Sequence, residues 1–255
     1  MRLSFGGDTL DINYIDEGGG DVVVLLHGWG AYGEVYRAVI NMLTRRFRVI
    51  APDFPGFGKS SLPSYPYEVE DYGDFVLAFL KELGVEKASF IGHSHGGRVL
   101  IELLSRASLP VAVEKAVLMD SAGLPGKKSL KKRAKIRVFK VCKSFALLPP
   151  VKALYPDLVP RLRQRFGSAD YASVPEVLQK SMVKLLARDL TANLSRISVP
   201  TLLLWGENDD ATPLAMAKIM ENAIPDAGLV TVKNGGHFCF TADPALVGRV
   251  LDAFL

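Results

Sequence analysis

"KASFIGHSHGGRVLIELLSR", Lys87 to Arg106, decides the fold. Its first part, "KASFIGH", is an apolar run ending in small and polar residues, which predicts a buried strand. Its last part, "GGRVLIELLSR", reads as a helix. Between them G-x-S-x-G sets Ser94 between Gly92 and Gly96. A strand that turns sharply into a helix needs small residues two positions either side of the apex, because larger ones collide. Ser94 then stands exposed at a helix N-terminus, whose dipole favours developing negative charge. It is a candidate nucleophile. His93 and His95 flank it, but so tight a turn points their side chains away from its hydroxyl. What His95 contributes is a backbone N–H, one donor of an oxyanion hole. The two imidazoles read as packing or pocket lining. A metal held by them would need further ligands, and neither H-E-x-x-H nor a cysteine cluster supplies any.

Working outward, "VVVLLH", "FRVIAPD", "AVEKAVLMD" and "PTLLLWG" are further apolar runs of the kind that strands buried on both faces require. Helical patterns lie between them near 34–44, 68–83, 96–107 and 213–224, and one closes the chain at 243–255. This alternation predicts a mostly parallel α/β sheet with helices on both faces. "TLDINYIDE" alternates apolar and polar residues, and with the glycines at 18–20 it predicts an antiparallel hairpin leading into "VVVLLH". No strand pattern appears between Ala122 and Val199. There "SLKKRAKIRVFKVCKSFALL" places Leu130, Ala134, Val138, Val141, Phe145 and Leu148 on one helical face. "LVPRLRQRF" and "VPEVLQKSMVKLLARDL" read as helices too. The expected organisation is a core of residues 1–121 and 200–255 with a helical insertion at 122–199.

A serine nucleophile needs a base, and the base needs an acid to fix its tautomer. The chain has four histidines. His27, in "HGWG" after a strand, reads as structural, shaping a loop whose Trp29 N–H is the second oxyanion donor. His237, in "NGGHFCF", lies in a loop between the last strand and the last helix. From there it reaches the carboxyl end of the sheet, where open α/β sheets bind ligands. "LLLWGENDDATP" offers Glu207, Asp209 and Asp210, of which Asp209 is the chosen acid. Asp120, closing "KAVLMD", competes with it. The order Ser94, Asp209, His237 is the order this chemistry takes on such a sheet.

Two motifs point elsewhere. Gly28, Gly30 and Gly33 form G-x-G-x-x-G after a strand, with Asp53 twenty residues on, as in a dinucleotide fingerprint. A hairpin precedes that strand, and the chain offers a complete alternative chemistry, so nucleotide binding is set aside. "DFPGFGKSS" ends like a Walker A loop, but its first glycine would fall on Asp53, and Pro63 and Pro66 deny it the helix. It reads as a tight loop after a strand.

The chain as a whole sets bounds. Its 255 residues, 49% hydrophobic, suit one large α/β domain or a core with an inserted cap. No run approaches the about 18 apolar residues of a membrane span. The N-terminus reads as strand rather than signal peptide. Cys142 and Cys239 fit no metal or redox spacing, so a reduced, cytoplasmic setting is expected. The net charge of +4 divides into +11 for residues 121–170 and −7 for the rest. A shift of this size marks a separate unit. The basic block reads as solvated helix surface, as a contact for an anionic membrane or protein surface, or as a lure for an acidic substrate. Only charge argues for nucleic acid, without a binding motif. Nothing in the sequence indicates an oligomeric state.

"HGWG", "DFPGFGKS", "GHSHGG", "WGENDDATP" and "GGH", in that order and spacing, resemble the α/β-hydrolase superfamily along essentially the whole chain. The resemblance implies a triad of Ser94, Asp209 and His237, oxyanion N–H groups on Trp29 and His95, and a helical cap matching 122–199. Serine as nucleophile argues against the dehalogenases and epoxide hydrolases of this fold, which use aspartate. "LMDSAGLPG" is similar to the stretch entering the cap in carbon–carbon bond hydrolases. Those typically carry asparagine where this chain has His93, and tryptophan where it has Phe238. Arg98 resembles an arginine of the menaquinone-pathway lyase that helps hold an anionic substrate; it also reads as a helix arginine bonded to a neighbouring loop. Phe139, Phe145, Leu148, Tyr155 and Phe166 would give the pocket apolar walls. The expected activity is hydrolysis of small to medium carboxylic esters with an apolar portion, needing no cofactor, with thioesters, lactones and amides open beside it and cleavage of a carbon–carbon bond in an anionic keto substrate as the alternative within the fold. A small-molecule receptor that retains the triad is the alternative from another class.

Overall fold

In the computed structural model the described residues are 1–126 and 174–255, together with 138, 139, 142, 144–155 and 157–159 between them. The short strands β1 (Arg2–Phe5) and β2 (Asp8–Asp11) pair antiparallel as a separate two-stranded sheet. The main sheet has seven strands. These are β3 (Tyr14–Gly18), β4 (Val22–Leu26), β5 (Arg48–Pro52), β6 (Lys87–His93), β7 (Ala112–Met119), β8 (Thr201–Gly206) and β9 (Ala227–Val232), in spatial order β3-β5-β4-β6-β7-β8-β9. Only β3 runs antiparallel to its neighbour. The apolar runs are the central strands because both faces are covered. Val24, Leu26, Phe90, Leu118 and Leu203 point into one core. Their alternates Val23, Leu25, Ile91, Val117 and Leu204 point into the other.

The first core is roofed by α2 (Val69–Glu82), α3 (His95–Leu104) and α6 (Leu214–Ala223), the second by α1 (Arg37–Leu43) and α8 (Pro244–Phe254). A 3-10 turn at Gly33–Tyr36 leads into α1. Between β7 and β8 lie α4 (Pro149–Leu154), α5 (Glu176–Ala187) and a 3-10 turn at Thr191–Arg196, with no strand among the described residues. The short α7 (Cys239–Ala242) precedes α8, whose start is capped by Asp243 accepting from Leu246 N–H at 2.9 Å. No described helix is long and apolar enough to cross a membrane.

The expected hairpin into β4 does not form. "TLDINYIDE" breaks at Ile12, whose N–H goes to Met1 O, and its two halves join different sheets. β3 pairs with β5, not β4. The glycine run therefore is not a hairpin turn. It crosses the start of β5 so that the chain can re-enter the sheet one strand further in. Gly18 and Gly20 take φ of 85° and 90°, and a side chain on either would strike the backbone carbonyl of Phe47 or Arg46.

Candidate active site

The turn between β6 and α3 carries Ser94 at φ 51° and ψ −109°, the strained apex that the motif requires. It is held from both sides: Ser94 N–H donates to Met119 O at 3.1 Å, and its carbonyl accepts from Ala122 N–H at 2.9 Å and Arg98 N–H at 3.1 Å. The flanking glycines are there for room. A methyl on Gly92 would lie 2.7 Å from Gly96 O, and one on Gly96 would sit inside the Leu26 carbonyl. The hydroxyl is left free to face the loop that follows β9.

That loop brings in His237. Its Nε2 lies 2.9 Å from Ser94 Oγ, and its Nδ1 lies 2.8 Å from Asp209 Oδ2. The carboxylate can only accept, so Nδ1 carries the proton and Nε2 presents a lone pair to the serine O–H. Asp209 sits in the turn after β8, 5% exposed. Its Oδ1 accepts from Ala211 and Thr212 N–H at 2.8 and 2.9 Å, and its Oδ2 lies 2.7 Å from Thr212 Oγ1. Burial alone would raise this carboxyl. The His237 and Thr212 hydrogen bonds outweigh burial and hold it below the usual range. Burial likewise pulls His237 down, but the Asp209 hydrogen bond and the charges of Asp209, Asp120 and Asp210 leave it above its ordinary value. A hydroxyl, a neutral imidazole and a buried carboxylate in line can move a proton from oxygen to nitrogen and stabilise the cation that results.

Asp120, the competing acid, faces away from the imidazole. Its two oxygens accept from Gly206 N–H at 2.8 Å and Cys239 N–H at 2.9 Å. Burial pushes its carboxyl up to about 6, against these hydrogen bonds. It ties the strand that leads to Asp209 to the loop that carries His237.

The turn after β4 holds the other half of the site. His27 donates from Nδ1 to Gly28 O at 2.7 Å and accepts Phe54 N–H on Nε2 at 2.8 Å. Gly28 O shares its peptide plane with Trp29 N–H, so fixing the carbonyl aims the N–H. Neither Trp29 N–H nor His95 N–H donates to a protein acceptor among the described residues. Burial lowers His27 to about 4, which keeps it neutral.

The family model described as "Alpha/beta hydrolase family" matches residues 23–250. The chain belongs to the alpha/beta hydrolase family. It is 32% identical over 250 residues to the putative carbamate hydrolase RutD of Pseudomonas syringae, covering 91% of this chain and 93% of that protein. It is 29% identical over 255 residues to haloalkane dehalogenase 2 of Mycobacterium tuberculosis, covering 89% of this chain and 85% of that one. A solved hydrolase from Pseudomonas aeruginosa superposes with a TM-score of 0.75 at 27% identity, covering 99% and 97% of the two chains.

In this member of the family the remaining sequence candidates scatter. The imidazoles beside Ser94 diverge. His93 meets Tyr36 and the His237 backbone, and His95 packs among Trp29, Phe54 and Tyr72. Phe238 stacks on His93 with centroids 5.0 Å apart and stays 42% exposed beside the site. Arg98 is not free to hold a substrate. It is buried, and its Nη1 donates to Leu185 O and to Arg188 O at the end of α5. Phe145 and Leu148, expected as pocket walls, stand 60% and 46% exposed, and Tyr155 is exposed too. A helical stripe says which residues share a face, not which way the face turns. Phe139 is half-buried; Leu130, Ala134, Val141 and Phe166 lie outside the described residues. Asp53 is no ribose ligand: its carboxylate accepts from Gly33, Asn13 and Lys59 and holds its own loop together. Sequence reasoning missed Thr212 and Tyr36. Thr212, three residues after Asp209, had a signal in the turn chemistry of "DDAT"; Tyr36 had none.

Proposed function

We propose that this hydrolase cleaves carboxylic esters through an acyl-enzyme on Ser94. The 2.9 Å approach of His237 Nε2 to Ser94 Oγ, with Asp209 behind the ring, carries the reading. His237 takes the hydroxyl proton as the serine oxygen bonds to the ester carbon. The carbonyl electrons move onto oxygen, where the N–H groups of Trp29 and His95 receive the charge. Collapse expels the alcohol, which leaves with the proton held by His237. Water, deprotonated by the same imidazole, then attacks the acyl carbon, releases the carboxylic acid and restores Ser94. None of these steps needs a cofactor. The partly exposed rings of Trp29 and Phe238 favour substrates with an apolar portion. The segment 122–199 acts in this reading as a cap over the site.

A fluorophosphonate should label the wild-type protein at Ser94, and p-nitrophenyl esters should turn over for many cycles. Ser94→Ala should lose at least about 10⁴-fold in kcat, as removal of a triad nucleophile does. Tight ester binding without turnover would instead mark a receptor.

A further inference from the structure

Behind Ser94 a chain of buried polar groups runs from one loop of the site to another. Gly28 N–H donates to Tyr36 Oη at 2.9 Å. Tyr36 Oη lies 2.7 Å from His93 Nδ1, and His93 Nε2 lies 2.7 Å from His237 O. The directions are forced. A carbonyl only accepts, so Nε2 of His93 carries the proton. Burial pushes His93 down to about 3, so the ring is neutral and Nδ1 must accept. The Tyr36 hydroxyl donates to it, which leaves its oxygen for Gly28 N–H. Both side chains are 1% exposed. The Tyr36 ring is itself wedged between His93 and Phe240, at 5.4 and 5.2 Å.

One end of the chain holds the peptide that precedes Trp29 N–H, the other the backbone of His237, and its middle is joined covalently to Ser94. We infer that His93 and Tyr36 are positioning residues. They lock the oxyanion turn and the general base to each other and to the nucleophile, across loops that are remote in sequence. The inference rests on Ser94 being the nucleophile.

Tyr36→Phe removes one oxygen and cuts the chain at both its bonds. It should lower kcat on p-nitrophenyl butyrate, and the rate of fluorophosphonate labelling, by about 10–100-fold, the scale of misplacing catalytic groups and less than the loss of an oxyanion donor itself. KM should change by less than about twofold. His93→Leu should do the same, and the double variant should be no worse than the worse single one, because both break one chain. His93→Gln keeps a donor and an acceptor on one side chain and should recover most of the rate. A folded Tyr36→Phe that labels at the wild-type rate overturns the proposal. A wild-type protein that is not labelled at Ser94 overturns the nucleophile reading along with it. Should the variants fail to fold, ¹⁵N-histidine NMR of the wild type decides. His93 must be the neutral Nε2–H tautomer, and an Nδ1–H signal overturns the inference.

Discussion

Two aspartates close neighbouring strands of the sheet and have opposite chemistry. Asp209 meets an imidazole and is held below its usual range; Asp120 meets two peptide N–H groups and is pushed up to about 6. Asp209→Asn separates their roles. It removes the negative charge that raises His237, and should cost about 10⁴ in kcat, the scale of the matching change in serine proteases. In the proposed mechanism the base is neutral His237, so activity should fall as pH drops through that raised value. In the variant the acid limb of the kcat/KM profile should move to lower pH; a limb that stays put would remove Asp209 from the triad. That Ser94 and His237 would meet was legible in the sequence because their signals are local, a strand–turn–helix and a glycine-bearing loop. Asp209 was chosen over Asp120 on chain order alone. Both end strands beside the site, and the direction each carboxylate takes is what separates them.

At the scale of elements, α5 shows how a recognisable helix hides its function. Its pattern was plain in "VPEVLQKSMVKLLARDL", but not what holds it. Its C-terminal carbonyls are capped by the buried Arg98 guanidinium from α3, whose pKa burial lowers to about 10, so it remains charged at neutral pH. Ser181 in α5 accepts Tyr67 N–H at 2.9 Å. The ion pairs Lys184–Glu68 and Arg188–Glu70, at 3.0 and 2.7 Å, lie at the surface and add little. Arg98→Met should therefore destabilise the protein by about 1–3 kcal/mol, the cost of leaving a buried carbonyl unpaired. Urea denaturation reads that loss, while turnover of a small ester should stay within about tenfold. A variant with unchanged stability and no activity would return Arg98 to the substrate. β3 makes the same point: alternation announced a strand, and only the assembled sheet named β5 as its partner.

Across the whole molecule, burial of neutral histidines sets the response to acid. Burial lowers His27 to about 4, His93 to about 3 and His95 well below 6.5. Below pH 6.5 the unfolded chain protonates all three while the folded one does not, so stability falls as pH falls. Asp120 opposes this, since its raised value makes the folded state hold an extra proton between about 6 and 3.8. Glu102, whose carboxyl burial also raises, acts in the same sense as Asp120, but the three rings outnumber the two carboxyls, so the net effect is a loss of stability as pH falls from 7 to 5. Urea titrations at pH 7, 6 and 5 measure it, and a flat response would mean that these rings are not buried as neutral groups. The alternation of strands and helices, the serine turn and the histidine loop were all readable from the chain alone. Each is encoded by periodicity or by residues within a few positions of one another. That Asp120 ties two backbone segments together instead, that His93 and Tyr36 join two loops, and that Arg98 ends a helix emerged only once the sheet had assembled. Those outcomes depend on where side chains remote in sequence point once the sheet has formed, and spacing along a chain carries no record of direction.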